Sequence, residues 1–290
     1  MYRLRSLLLA PTLALLSYAG GSAAVTFQAP MDEVQWQLEA SQFVCTLSQS
    51  IPDFGVATFE HLAGSELQFV LSSPQAELLG QETLVMSEAP PWLPGEGTRR
   101  LGVITDAVDS QALRFDSGLA KEMLTSLYQG QTPAISNNRW YGTDTPVKVM
   151  ISAANFQQAY SSYQGCVSGL LPVNYQQIAR SAMLFPSAQW RLSDSTKSRL
   201  DLIALYIKND PSVISVFVDG HSDSFGRRLA NRDLSRDRAE AVSRYLSKIG
   251  VPDEMVTTRY HGERYPVVAN NSSENRARNR RVTVRLEREE

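Results

Sequence analysis

Asp219-Gly220-His221-Ser222-Asp223-Ser224-Phe225-Gly226 decides how this 290-residue chain is read, together with Asn231, Leu234-Ser235-Arg236-Asp237-Arg238-Ala239 and the closing Asn279-Arg280-Arg281-Val282. The run leading into it, Val213–Asp219, alternates apolar and polar residues, which predicts a strand with Ile214, Val216 and Val218 on one face. A helix is predicted next, from about Arg228 to Lys248, stopped by Gly250 and Pro252. Leu234, Val242, Leu246 and Ile249 form its inward stripe. Arg238 stands four residues after Leu234 and four before Val242, so it falls on that stripe. An arginine facing a sheet needs partners or a route to water, because burying an unpaired charge is costly. The Gly220–Gly226 loop offers His221 and Asp223, and its terminal glycines permit unusual backbone angles. Two readings stand side by side. Asp223 and Arg238 form a plain salt bridge, or they are held close but apart as a clasp. In the clasp, Asp223 takes an ammonium, Arg238 takes a carboxylate in a bidentate fork, and loop N–H groups add carboxylate contacts. An amino-acid head group carries both charges on one carbon and suits such a pair.

Working outward, residues 171–290 read as β-α-β-α-β-β. Tyr175–Phe185 is predicted as a strand. Ser193 caps a helix whose Leu200, Ile203, Ala204 and Ile207 recur at helical spacing, and Asp210-Pro211 ends it. After the central helix come a strand at Met255–Tyr260, a loop rich in Asn, Ser and Gly, and a last strand carrying Val282, Val284 and Leu286. The order implies a small sheet with helices packed on one face.

The preceding part reads differently. Val34–Leu38, Leu67–Leu71, Leu101–Ile104 and Val147–Ile151 are strand candidates, and turns are marked at Pro52–Gly55, Pro90–Gly95 and Thr132-Pro133. Ser117 is expected to cap a helix over Gly118–Gln129. A second helix carries Phe156, Tyr160, Tyr163, Val167 and Leu170, a stripe read as core rather than as a ligand cage. Residues 25–170 are therefore expected to form one mainly-β domain with two helices, and the whole chain is α+β. Residues 1–24 read as an export signal: Arg3 and Arg5, an apolar run from Leu7 to Leu16, then Ser22 and Ala24 ahead of a cut before Val25. No later stretch approaches ~20 apolar residues, so no membrane span is expected. Cys45 and Cys166 are the only cysteines, and in an exported chain the pair is most simply a disulfide closing a loop of 120 residues.

Composition excludes some classes. The formal net charge is −2, and although residues 211–290 carry 15 basic against 12 acidic groups, the excess is too mild for a nucleic-acid backbone binder. The basic run Arg276, Arg278, Arg280, Arg281 is interleaved with Glu274 and read as solvated or structural. His61 has no cysteine or carboxylate at metal-ligand spacing, and no cofactor motif is present. His221 with Asp223 lacks a nucleophile or third ligand, so the chain is read as no enzyme.

At these same residues the chain resembles the OmpA-like peptidoglycan-binding family, over roughly residues 172–290. The family pattern G-H-T-D-x-x-G, N-x-x-L-S-x-x-R-A and N-R-R-V appears as Gly220–Gly226 with Ser222 for threonine, Asn231 through Leu234-Ser235 to Arg238-Ala239, and Asn279–Val282. The resemblance implies an α/β sandwich that binds the diaminopimelate of the wall peptide. Asp223 would take its ammonium, Arg238 its carboxylate, and Arg280 would support them, with Gly220, His221, Ser222, Asn231 and Leu234 around them. Tyr260 and Asn275 stand where glycines are usual, and Phe185-Pro186-Ser187 is a poor version of the first-strand signature. The N-terminal part is similar to the flagellar motor T-ring family, MotY. That likeness rests on Trp36, Cys45-Thr46-Leu47, Ile51–Gly55 with Ala57 and Phe59, Pro90–Glu96, and Cys166. It implies a periplasmic partner of the flagellar basal body that assembles in a ring and holds stator units while the C-terminal domain grips peptidoglycan. A general envelope tether, or a wall-active enzyme, is the alternative.

Overall fold

The computed structural model describes residues 24–79, 83–90, 97–104, 111–138 and 146–289. Residues 1–23 of the expected leader and residues 91–96 of the Pro90–Glu96 motif lie outside the described residues. The fold is α+β, as the two periodicities predict.

Ten strands come first: β1 (Val25–Phe27), β2 (Trp36–Ala40), β3 (Val44–Ile51), β4 (Gly55–Leu62), β5 (Gln68–Ser72), β6 (Thr83–Glu88), β7 (Arg99–Ile104), β8 (Ala112–Phe115), β9 (Thr132–Asn137) and β10 (Val147–Met150). They form two five-stranded sheets, ordered β2-β3-β4-β5-β8 and β1-β10-β9-β6-β7. Period-two alternation decides which side chains enter the core. In β3, Cys45, Leu47, Gln49 and Ile51 point inward. Gln49 tolerates burial because its amide pairs twice with the backbone of Ser152, at 2.9 Å each. Helices α1 (Ser117–Tyr128) and α2 (Phe156–Ser168) complete this core. Asp116, rather than the expected Ser117, caps α1 by accepting from Leu119 N at 2.9 Å, while Ser117 Oγ donates to Glu66. The aromatic stripe of α2 packs inward, with the Phe156 ring edge-on to Trp36 at 5.0 Å. At the far end of α2, Cys166 is bonded to Cys45, their Cα atoms 6.0 Å apart.

The rest of the chain runs α3 (Tyr175–Ile178), β11 (Arg180–Leu184), α4 (Asp194–Asn209), β12 (Val213–Gly220), α5 (Arg228–Lys248), β13 (Val256–Tyr260), α6 (Ser273–Asn279) and β14 (Arg281–Arg288). Its sheet is ordered β11-β14-β12-β13. The β12 and β13 strands are parallel, with α5 as their crossover. Leu200, Ile203 and Ile207 of α4, with Ala239, Val242 and Leu246 of α5, cover Val216, Val218, Val282, Val284 and Leu286 on one face.

Three further expectations are corrected. Tyr175–Phe185 is not one strand. Asn174 and Gln177 close a reciprocal capping box, so the segment starts as a helical turn and extends only from Arg180. Ile214 does not share a face with Val216 and Val218. The register shifts between Val213 and Ser215, so Val213 takes the buried place and Ile214 is 48% exposed. The loop before the last strand contains α6, capped by Ser272.

The two cores meet. Leu171 N donates to Gln42 O at 2.9 Å, Gln177 Nε2 to Gly64 O at 2.7 Å, and the Phe43 ring lies 5.4 Å from Tyr206 on α4.

Gly220 has a packing role. A Cβ there would lie 2.1 Å from Ser235 O and 3.0 Å from Ala239 Cβ, so the glycine lets α5 press on the end of β12. The backbone freedom expected of both loop glycines is needed only at Gly226, where φ is 98°. Gly220→Ala is predicted to lower stability by about 1–3 kcal/mol through overpacking, read as a fall in the urea midpoint.

Candidate functional site

The end of β12 and the first half of α5 bring the candidate residues together. Arg238 is completely buried, as its place on the helix stripe requires. Its partners are three backbone carbonyls. Nε donates to Gln189 O at 2.8 Å, Nη1 to His221 O at 3.2 Å and Nη2 to Pro186 O at 3.0 Å, and the guanidinium lies 5.3 Å from the Phe185 ring centre. The segment from Phe185 to Gln189 thus covers the cation. It turns through Ala188, a non-glycine residue at φ 57°. Neutral acceptors do not cancel a charge. Burial therefore pulls the Arg238 pKa down to about 10, the nearby Arg280 cation adds to this, and Asp223 opposes it.

The plain salt bridge between Asp223 and Arg238 is not formed. Asp223 Oδ2 instead accepts from Arg280 Nη1 at 2.9 Å, while Oδ1 accepts from Phe225 N at 3.1 Å and so shapes the loop. Arg280 Nε donates to Phe185 O at 3.1 Å. Arg238 and Arg280 therefore hold the same segment from two sides. One carboxylate and two guanidiniums converge here, an excess of one positive charge.

The other candidates surround them. Ser222 is buried, its N donating to Gly262 O and its Oγ to Asp223 O. Asn231 Nδ2 donates to Glu263 at 2.8 Å. Leu234 is half-buried on α5. His221 contributes its carbonyl to Arg238, but its ring turns to the other side and stacks on His261 at 5.0 Å. It makes no pair with Asp223, and the histidine that meets a carboxylate is His261, 2.9 Å from Asp219. Asn279 of the N-R-R-V motif is structural. It is fully buried and its amide ties down Val267, Val268 and Asn270. Sequence reasoning missed the Phe185–Gln189 cover. The lone signal for it was the irregular Phe185-Pro186 run. Among the described residues no group of three or more His, Cys, Asp or Glu is placed to hold a metal.

Burial also holds the His221 pKa down to about 4, helped by the charge of Arg281. The folded state thus binds this proton more weakly than the unfolded chain, whose histidine titrates near 6.5. The contribution to stability is complete above about pH 6.5 and falls by up to about 1.4 kcal/mol per pH unit as pH drops toward 4. Urea midpoints measured across that window should fall with pH, and His221→Gln should flatten the slope.

Comparison with known proteins agrees with this architecture. The model of the MotY N-terminal domain matches residues 27–172, half of the chain, and that of the OmpA family matches residues 184–280. The sodium-type flagellar protein MotY of Vibrio parahaemolyticus is 27% identical over 269 residues, 90% of either chain. The peptidoglycan-associated lipoprotein of Pseudomonas putida is 30% identical over 134 residues, 46% of this chain and 80% of its own. Among solved structures, the peptidoglycan-associated lipoprotein from Burkholderia pseudomallei is similar at 28% identity and a TM-score of 0.35, covering 37% of this chain and 89% of that one. With a MotY N-terminal domain joined to an OmpA-family domain, the chain belongs to the MotY family.

Proposed function

We propose that this protein is a non-catalytic periplasmic anchor. Its C-terminal domain, residues 171–290, binds peptidoglycan through diaminopimelate. Its N-terminal domain, residues 25–170, docks on the flagellar basal body as part of the T ring and holds stator units. The observation that carries the reading is the cluster at the end of β12, where Asp223, Arg280 and Arg238 leave one positive charge without a counter-charge. The centre of diaminopimelate that bears both an ammonium and a carboxylate matches it. The ammonium goes to Asp223. The carboxylate goes to Arg238, whose two terminal nitrogens each keep one N–H beyond those given to His221 and Pro186. Because the Pro186–Gln189 turn covers Arg238, that turn must shift for the carboxylate to reach these two N–H groups. Membership in the MotY family and the likeness to a lipoprotein named for peptidoglycan association support the two halves of this reading.

The test is the position of a fluorescently tagged protein in cells with and without flagella. Foci at flagellar bases that vanish without flagella are expected, with loss of swimming on deletion. Uniform envelope fluorescence in both strains, with normal swimming, would leave a general wall tether instead.

A further inference from the structure

The face of the C-terminal sheet turned away from α4 and α5 carries a second concentration of charge, used by nothing described so far. Strand alternation creates it. Val216, Val218, Val282 and Val284 point into the core, so the residues between them point out. On that outer face a cleft of about 430 Å³ is lined by Arg180, Arg259, Arg281 and Arg285, with Asp219 the one carboxylate among its lining residues. Asp219 is already committed. Arg259 holds it in a bidentate pair at 2.8 and 3.0 Å, and His261 adds a contact at 2.9 Å. Burial works to raise the Asp219 pKa, but these hydrogen bonds prevail and hold the carboxyl below its ordinary range.

That leaves three guanidiniums with no carboxylate partner among the described residues. Arg281 is buried and donates to neutral carbonyls, those of Asn279 and Tyr265. Arg285 lies over the Phe217 ring at 4.9 Å, with Arg259 also 4.9 Å from that ring's centre. Arg180 sits directly across from Arg285 in the β11–β14 ladder. Like charges facing each other across a ladder destabilise a sheet, and a concavity lined by one sign of charge draws in counter-ions. Three uncompensated cations call for a multiply charged partner, since a single carboxylate would leave two of them unmatched. Guanidinium forks match phosphate oxygens in particular.

We propose that this cleft is a binding site for a phosphate monoester or diphosphate group, either free in solution or displayed as a membrane headgroup. It lies on the opposite side of the sheet end from Asp223 and Arg238, so it is independent of wall binding. The same residue separates the two: the His221 carbonyl serves Arg238 while its ring lines the outer cleft.

The test uses the full mature chain. Calorimetric titration with pyrophosphate is expected to show saturable binding that acetate at equal ionic strength does not reproduce. Arg180→Gln and Arg285→Gln, both at exposed positions, should each weaken it roughly tenfold, the loss of one charge-assisted contact. Retention on sacculi and the circular dichroism spectrum should not change, which separates this outcome from failure of the wall-binding proposal. The His221 ring resonances should shift on adding pyrophosphate. Cosedimentation with vesicles carrying phosphatidic acid, lost in the double variant, would identify a headgroup as the source; pyrophosphate binding without cosedimentation would identify a soluble ligand. No pyrophosphate binding, or equal binding by the double variant, would overturn the proposal.

Discussion

Asp223→Asn is expected to abolish retention of the protein on isolated sacculi while leaving the fold intact. The substitution is nearly isosteric. Its amide oxygen can still accept from Phe225 N, so the loop keeps its shape. What disappears is the charge. The ion pair with Arg280 is lost, two guanidiniums then face the site without an anion, and an arriving ammonium meets no carboxylate. Each charge-assisted contact is worth about 1.5–3 kcal/mol, enough to remove a modest affinity. Arg238→Ala should also abolish retention, but at a cost to stability. It strands the carbonyls of Pro186, His221 and Gln189, and an unsatisfied buried group costs about 1–3 kcal/mol. The asparagine variant therefore isolates binding, and the alanine variant combines binding with structure. Full retention by the asparagine variant, confirmed as folded by its thermal melt, would sink the clasp.

The second large effect is expected on breaking the Cys45–Cys166 bond. The cysteines are 121 positions apart, so the bond restrains a long loop in the unfolded chain. The loop-entropy account puts its contribution at about 4–5 kcal/mol. That is a large share of the stability of an ordinary domain. Cys45→Ser, or reduction of the natural protein, should lower the urea midpoint and the amount of folded protein recovered from cells. An unchanged midpoint after complete reduction and alkylation would contradict this.

The fold was legible where pattern and packing agree. Val216, Val218, Val282, Val284 and Leu286 alternate cleanly because one face meets helices and the other does not. Ser193 was legible as a cap because every partner of its side chain, Ser195 and Thr196, lies within three residues of it. It was not legible where local chemistry overrides period. The capping box at Asn174 and Gln177 turns an apolar stretch into a helical turn, and a bulge at Val213 reverses the face of Ile214. At the site, the stripe spacing located Arg238 in the interior but could not supply its partners. Two of the three lie 49 and 52 residues earlier, in backbone carbonyls that have no sequence signature; the third, the His221 carbonyl, lies 17 residues earlier in the loop. The pairing of Asp223 with Arg280 rather than Arg238 was hidden for the same reason, since 57 residues and the whole β13–β14 connection separate them.

The disulfide has one more consequence, and it is mechanical. Cys166 stands near the end of α2, just ahead of the segment that enters the C-terminal sheet, and Cys45 lies in β3. Tension drawn along the chain between the first strands and that sheet passes from Cys45 through the sulfur bridge to Cys166. Residues 46–165, with most of both N-terminal sheets and α1, are bypassed as a shunt bypasses a circuit. A pull on the C-terminal domain therefore loads a short covalent path and spares the ladders among β4 to β10 from being unzipped.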